Sequence, residues 1–189
     1  MQEYILEARK FIPPDICKKI ISYFDKELVD AEVATKSGDY NANKKIRNCT
    51  TSYLLSLPQP SFGQRICINY IKSRLYDFGK VYNQKHSKFH LRTLNQIDLL
   101  KYEANEYEVG YNYHVDACGS TAARIVSISI CLNNDFTGGE FKFLLPNGEE
   151  IQYPQNVGDL IMFPSNFMFP HQVNKVTHGT RYALIGWGV

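Results

Sequence analysis

The chain has 189 residues, 44% of them hydrophobic, with 11 Phe and 13 Tyr. That composition supplies a sizeable core for a single domain over residues 1–189 and excludes a disordered chain. With 21 basic and 19 acidic residues the formal net charge is +2, and no basic run tracks a phosphate backbone, so neither nucleic acid nor a membrane is expected as a partner.

The pairs Lys18-Lys19 and Lys44-Lys45 read as solvated faces. The opening residues Met1 to Glu7 lack a charged leader followed by an apolar stretch, so a signal peptide is not expected. No segment reaches the roughly 20 apolar residues that span a bilayer. The five cysteines are odd in number and contain no CxxC. A disulfide framework or zinc-thiolate site is therefore not expected, and a reducing cytoplasm is the expected location.

Residues 3–8 read as a short strand. Pro13-Pro14-Asp15 marks a helix start, with proline in the first turn and an acid near the positive end of the dipole. Ile16, Ile20 and Phe24 then repeat at four-residue spacing, with Ile21 beside them, which predicts a helix over about 15–27. From Val29 to Lys45 the chain is polar and aperiodic. It reads as a loop, either a surface connection or a lid over a site. Residues 60–80 predict a second helix, with a stripe of Phe62, Ile66, Tyr70, Ile71, Leu75 and Phe78.

From about Leu91 onward short apolar runs alternate with turn formers. The runs cover 97–102, 111–116, 124–133, 139–145, 150–153, 159–163, 170–176 and 181–187. The breaks hold Asp135, Gly138-Gly139, Pro146-Asn147-Gly148, Gly158 and Gly179. Eight such strands predict a mainly β, α+β architecture: a jelly roll, or double-stranded β-helix, over 91–189. Residues 1–90 then form a helical support, with two helices packed on one sheet.

His114-Val115-Asp116 ends one predicted strand. Side chains at i and i+2 share a strand face, with Cα atoms roughly 6.6 Å apart at a rise of about 3.3 Å per residue, so an imidazole and a carboxylate can converge on one ion. His171, in Phe169-Pro170-His171-Gln172-Val173, starts a late strand that a jelly roll can bring beside the first. Two histidines and one carboxylate form the facial triad of non-heme iron(II) oxygenases. The alternative makes His171 a hydrogen-bonded barrel histidine. His86, His90 and His178 read as surface residues.

Arg181 lies ten residues after His171, and a Gly179 turn is expected to lay its strand close to the His171 strand. By alternation it shares an inward face with Ala183, Ile185 and Trp187. A guanidinium inside a barrel needs an anionic partner, and a dicarboxylate offers one with matching bidentate geometry. The alternative is a salt bridge to an internal acid, or an outward strand position.

These pieces together resemble the prolyl 4-hydroxylase-like branch of the 2-oxoglutarate oxygenases. The matching residues run from about Phe11 to Trp187 and are densest from Leu100. They are Tyr111 to Asp116, Arg124-Ile125-Val126-Ser127 leading into Cys131-Leu132-Asn133, Gly138-Gly139-Glu140, Gly158 to Pro164, His171-Gln172-Val173, and Gly179 to Ala183 with Trp187. Arg47-Asn48-Cys49-Thr50 is similar to the family's arginine-containing stretch ahead of the barrel. The resemblance implies iron(II) held by His114, Asp116 and His171, with 2-oxoglutarate and O2 as co-substrates, and ascorbate as a further partner. It implies Arg181 for the distal carboxylate of 2-oxoglutarate, and Tyr102 facing the co-substrate pocket. Where relatives often place a tyrosine on that carboxylate this chain has Cys131, a poor donor, so either another hydroxyl, Ser129 or Tyr102, takes over or the co-substrate binds less tightly.

The implied reaction hydroxylates a substrate with release of succinate and CO2. The retained Asp116 favours hydroxylation over halogenation, since halogenase relatives have a small residue there. A proline-containing peptide or protein is the first substrate expected, followed by lysyl residues or free amino acids. The nucleic-acid demethylases typically carry a second arginine where this chain has Trp187. A non-enzymatic jelly-roll binding protein, with structural histidines, is the alternative from another class, and it needs no arginine at the position of Arg181.

Overall fold

The computed structural model describes residues 2–34, 40–88, 90–107, 110–153 and 156–189. Two helices precede most of the strands. Helix α1 (Pro14–Phe24) has proline in its first turn and Asp15 beside it, and buries Cys17, Ile20 and Phe24. Helix α2 (Phe62–Lys85) begins with a capping box: Ser61 Oγ accepts from the Gln64 amide at 3.3 Å, and Gln64 Oε1 accepts from the Ser61 amide at 2.8 Å. Each side chain thereby satisfies an amide that the first turn leaves without a partner.

The buried line of α2 is Cys67, Ile71, Leu75 and Tyr82, whereas Phe62 and Ile66 are exposed. The expected stripe is thus corrected at its start. At about 100° per residue, Phe62 lies about 140° around the helix from Cys67. His86, expected on the surface, is also partly buried. Its ring packs on Tyr4 and Tyr82, with centroids at 5.2 and 4.8 Å.

The strands are β1 (Leu6–Ala8), β2 (Val29–Asp30), β3 (Glu32–Ala34), β4 (Tyr40–Ala42), β5 (Thr50–Tyr53), β6 (Leu94–Glu103), β7 (Tyr111–His114), β8 (Val126–Cys131), β9 (Phe136–Gly138), β10 (Phe141–Leu144), β11 (Glu150–Tyr153), β12 (Leu160–Pro164), β13 (His171–Val173) and β14 (Val176–Gly188). The larger sheet runs β1-β12-β8-β14-β6-β5-β2, with β9 paired to β14, and the smaller runs β11-β10-β13-β7. The two face one another as a double-stranded β-helix. The segment expected to be a loop from Val29 to Lys45 contains β2 and the antiparallel pair β3–β4. Residues 35–39 of that segment lie outside the described residues.

Alternation along the long strands separates two apolar clusters. Ile97 and Leu99 of β6, Val126, Ile128 and Ile130 of β8, Leu160 and Met162 of β12, and Leu184 of β14 pack with Ile20, Phe24, Ile71 and Leu75 of the helices. The intervening residues Leu100, Tyr102, Ile161, Phe163 and Ile185 turn the other way and meet Phe141, Phe143 and Val173 of the smaller sheet. Each fully buried aliphatic side chain contributes about 1.5–3 kcal/mol by leaving water. A one-residue slip of any of these strands would exchange the two faces.

His171 and Arg181 lie on different sheets, which corrects the expected adjacency of their strands. β13 pairs with β10 and β7, whereas β14 pairs with β6 and β8. Gly179 does not separate two strands but sits inside β14, at φ +72° beside a register shift. The chain closes one side of the barrel at residues 46–53. Arg47 bridges to Tyr111 on the edge of the smaller sheet, and Thr50 onward pairs with β6 in the larger. No helix among the described residues is long and apolar enough to cross a membrane.

Candidate active site

His114 closes β7 and His171 opens β13, and the two residues face each other directly in the ladder. Asp116 follows two residues after His114. His114 Nε2 lies 3.6 Å from Asp116 Oδ1, and His171 Nε2 lies 3.5 Å from Asp116 Oδ2. The three ligand atoms fall within 4.8 Å of one another. At metal–ligand bonds of about 2.1 Å, neighbouring ligand atoms of an octahedral ion stand roughly 3 Å apart, so this spacing accommodates a divalent ion with a small inward adjustment.

The orientation of each ring is set by the backbone. His114 Nδ1 is 2.7 Å from the Asn112 carbonyl, and His171 Nδ1 is 3.0 Å from the Phe169 carbonyl. A carbonyl only accepts, so each Nδ1 carries the proton and each Nε2 presents its lone pair toward Asp116. Tyr111 stacks on His114 with centroids 3.5 Å apart, and Phe141 and Phe163 enclose His171 at 5.2 and 5.0 Å. Burial, and then the neighbouring His114, push the His171 imidazole down to about 4, which keeps it neutral.

Asp116 is held equally firmly. Ser127 Oγ donates to Oδ2 at 2.6 Å and itself meets Ser165 Oγ at 2.8 Å. Burial alone would raise the Asp116 carboxyl, but the positive charge that His171 and His114 carry when protonated, with the Ser127 hydrogen bond, outweighs it and holds it well below the usual range. Thr121 Oγ1 and Arg124 Nη1 bind the Asp116 carbonyl at 2.7 and 3.4 Å. Two imidazoles and one carboxylate give the donor set that suits iron(II).

The triad opens into a cavity of about 290 Å³ lined also by Arg47, Asp98, Leu100, Tyr102, Arg124 and Ser129. Arg181 faces Tyr102 across the β14–β6 ladder, and its guanidinium carbon is 5.4 Å from the Tyr102 ring centroid. It is buried, as alternation predicted. It stands beside the tyrosine that forms the wall and is not itself part of the cavity lining. Gly139 makes room for it: at φ +67°, a Cβ there would meet Arg181 Cδ at 2.8 Å. Only glycine adopts that backbone at no steric cost.

Residues 99–188 match the family model of the 2OG-Fe(II) oxygenase superfamily, a span that contains the triad, Ser129 and Arg181. That span is just under half of the chain. Members of this oxygenase family use iron(II), 2-oxoglutarate and O2. A PKHD-type hydroxylase of Idiomarina loihiensis is 34% identical over 95 residues, which cover 49% of this chain and 41% of the relative. Another from Acaryochloris marina is 38% identical over 88 residues, covering 44% and 39%. The chain thus spans about two fifths of the length of the curated relatives it matches.

Among solved structures, a Pseudomonas putida prolyl-4-hydroxylase superposes with a TM-score of 0.73 at 19% identity, covering 98% of this chain and 91% of that one. A Trichoplax adhaerens prolyl hydroxylase, in complex with a hypoxia-inducible factor oxygen degradation domain peptide fragment, superposes at 0.79 with 15% identity, covering 98% and 83%. The chain therefore shares the fold of these two structures.

The structure brings five of the six expected site residues, His114, Asp116, His171, Tyr102 and Ser129, onto one cavity, with Arg181 behind the Tyr102 wall. Cys131 turns its thiol to the Asn133 carbonyl at 3.1 Å. Burial raises that thiol, with the Arg181 charge opposing. Asp98 and Gln96 were not expected in the site. Their signal was available, because both share the period-two face of Tyr102.

Proposed function

We propose that this domain is an iron(II)- and 2-oxoglutarate-dependent hydroxylase of peptide substrates, with a prolyl residue as the first target. The observation that carries this reading is the convergence of three lone pairs at one end of a cavity whose wall, Tyr102, is backed by a buried arginine. His114, Asp116 and His171 would hold the iron. When bound, iron(II) with 2-oxoglutarate supplies the oxidation that couples loss of CO2, leaving succinate, to insertion of one oxygen atom into a substrate C–H bond.

The chain's own residues do the remaining work. Arg181 would take the distal carboxylate beside Tyr102, with Ser129 as a hydroxyl on the same wall. Arg47 is a second cation on the cavity, 4.9 Å over the Tyr111 ring. Phe141, Phe163 and Ile185 keep the wall apolar and exclude water from the reacting end. Arg124 lies over the Trp187 ring at 3.8 Å, a flat platform suited to a peptide unit. Glu32 and Val33 of β3 also line the cavity, which supports a closing role for the segment 29–45. The likeness to a prolyl hydroxylase bound to a peptide supports an extended peptide as substrate.

The test is incubation of the protein with iron(II), 2-oxoglutarate, ascorbate and a proline-rich peptide library, followed by mass spectrometry and succinate assay. Addition of one oxygen to proline, in step with succinate, is the expected result. Succinate without any modified peptide would remove the peptide reading, and no succinate at all would remove the hydroxylase reading. A lysyl or free amino-acid target is the second reading, and a buried acid in the cavity favours it.

A further inference from the structure

Asp98 lies on the cavity face of β6, between Leu100 and Gln96, and is 1% exposed. Its Oδ2 accepts from Gln96 Nε2 at 2.6 Å, while Oδ1 has no hydrogen-bond partner among the described residues. No ion pair among the described residues ends on it. The two cations of the cavity wall make no ion pair with it among the described residues, although Arg47 Nε has no hydrogen-bond partner there. Arg124 donates to Gln96 Oε1 at 2.8 Å and to the Asp116 carbonyl at 3.4 Å. Arg47 donates to the Glu32 carbonyl at 3.0 Å. Burial pushes the Asp98 carboxyl up to about 7, against the opposing pull of Gln96, Arg47 and Arg124.

A buried carboxylate oxygen without a donor destabilises the empty site, and a ligand that supplies a donor removes that cost. The geometry selects among donors. A guanidinium is a planar fork that favours both oxygens of a carboxylate, and Gln96 already occupies one. An ammonium is compact and satisfies a single oxygen, with further protons for neighbours such as the Tyr53 hydroxyl on the same cavity. A prolyl ring in a peptide has no N–H to give.

We propose that Asp98 determines specificity by receiving a lysyl ammonium of the peptide substrate, either that of the residue hydroxylated or that of its neighbour. This rests on the peptide hydroxylase reading above. Along β6 the polar order is Tyr102, then Asp98, then Gln96, with Arg181, Ile185 and Trp187 opposite them on β14. The ammonium is thereby received between the co-substrate end and the Arg124–Trp187 platform.

The test begins with binding, apart from turnover. N-acetyl-lysine N-methylamide and its Nε-acetylated form are titrated by calorimetry into the wild-type protein and into Asp98→Asn, with melting curves to confirm that the variant is folded. The charged probe should bind wild type at least ten-fold more tightly than the neutral one, and Asp98→Asn should abolish the difference. Equal affinities in wild type would overturn the proposal, whatever the variant does, and so would a preference that survives in a folded Asp98→Asn protein. Succinate release by the same wild-type sample tests the hydroxylase reading separately. The peptides Gly-Pro-Lys and Gly-Lys-Gly, both acetylated, then locate the ammonium: oxygen on proline makes it the neighbour's, and oxygen on lysine makes it the target's own. Equal oxidation of Gly-Pro-Ala and Gly-Pro-Lys, with none of Gly-Lys-Gly, would contradict it.

Discussion

At the scale of the residue, the proposed metal ligands and the proposed co-substrate anchor stand on different sheets. The triad lies at the β7–β13 edge of the smaller sheet, and Arg181 lies on β14 of the larger. Arg181→Ala is therefore expected to weaken 2-oxoglutarate binding by a factor of about 10 to about 150, since a charge-assisted hydrogen bond contributes about 1.5–3 kcal/mol. Iron(II) binding should stay within about two-fold. Calorimetric titration of each ligand checks this. Equal loss of both would make Arg181 structural, and loss of neither would shift the anion role to Arg47.

Asp98 gives a pH prediction. Its folded-state carboxyl is raised from the ordinary value of 3.8 to about 7. The folded protein therefore binds more protons than the unfolded chain between those values. The associated stability is complete below about 4 and is lost as pH rises through about 7. Asp98→Asn removes the group, so its melting temperature relative to wild type should rise between pH 5 and pH 8, by a few °C for a chain of this size. A constant difference across that range would contradict the assigned burial cost.

At the scale of the element, period-two alternation made most of the strands legible. All eight expected runs coincide with strands, because alternating faces meet two different apolar clusters. Sheet membership was not legible in the same way. Alternation says which face a residue takes but not which strand lies beside it, so β14 was expected next to β13. The polar segment after Val29 hid β2, β3 and β4 because its short pairs, such as Glu32 opposite Ala42, carry no apolar period. Phe62 and Ile66 were misassigned because a spacing of four drifts across the face of a helix. Asp98 was legible in position but not in meaning: only the fold shows that its second oxygen lacks a donor.

Two element-scale predictions follow from local geometry. Gly139→Ala should weaken 2-oxoglutarate binding without affecting the triad, since the added methyl meets the Arg181 stem and the left-handed φ strains any other residue. Titration of the variant with 2-oxoglutarate and with iron(II) checks this, and unchanged affinity for the first would refute the positioning role. Ser61→Ala removes the capping box of α2 and should cost about 1 kcal/mol, read from denaturant unfolding. No change would show that the cap is replaced by solvent.

At the scale of the whole molecule, two sheets and two helices divide their tasks. The helices cover the outer face of the larger sheet and leave its inner face, opposed by the smaller sheet, to form the cavity. That division explains how a chain that shares 15–19% of its residues with prolyl hydroxylases keeps their fold. The alternation is retained while the residues change. The central claim is that His114, Asp116 and His171 form one iron site that shares a cavity with 2-oxoglutarate. Anaerobic titration with iron(II) and then 2-oxoglutarate tests it most directly, by visible absorption spectroscopy. Wild type should develop a weak visible metal-to-ligand charge-transfer band only when both are present, and a folded His171→Ala protein should lose it. No band in wild type, or the same band in both proteins, would contradict the assignment.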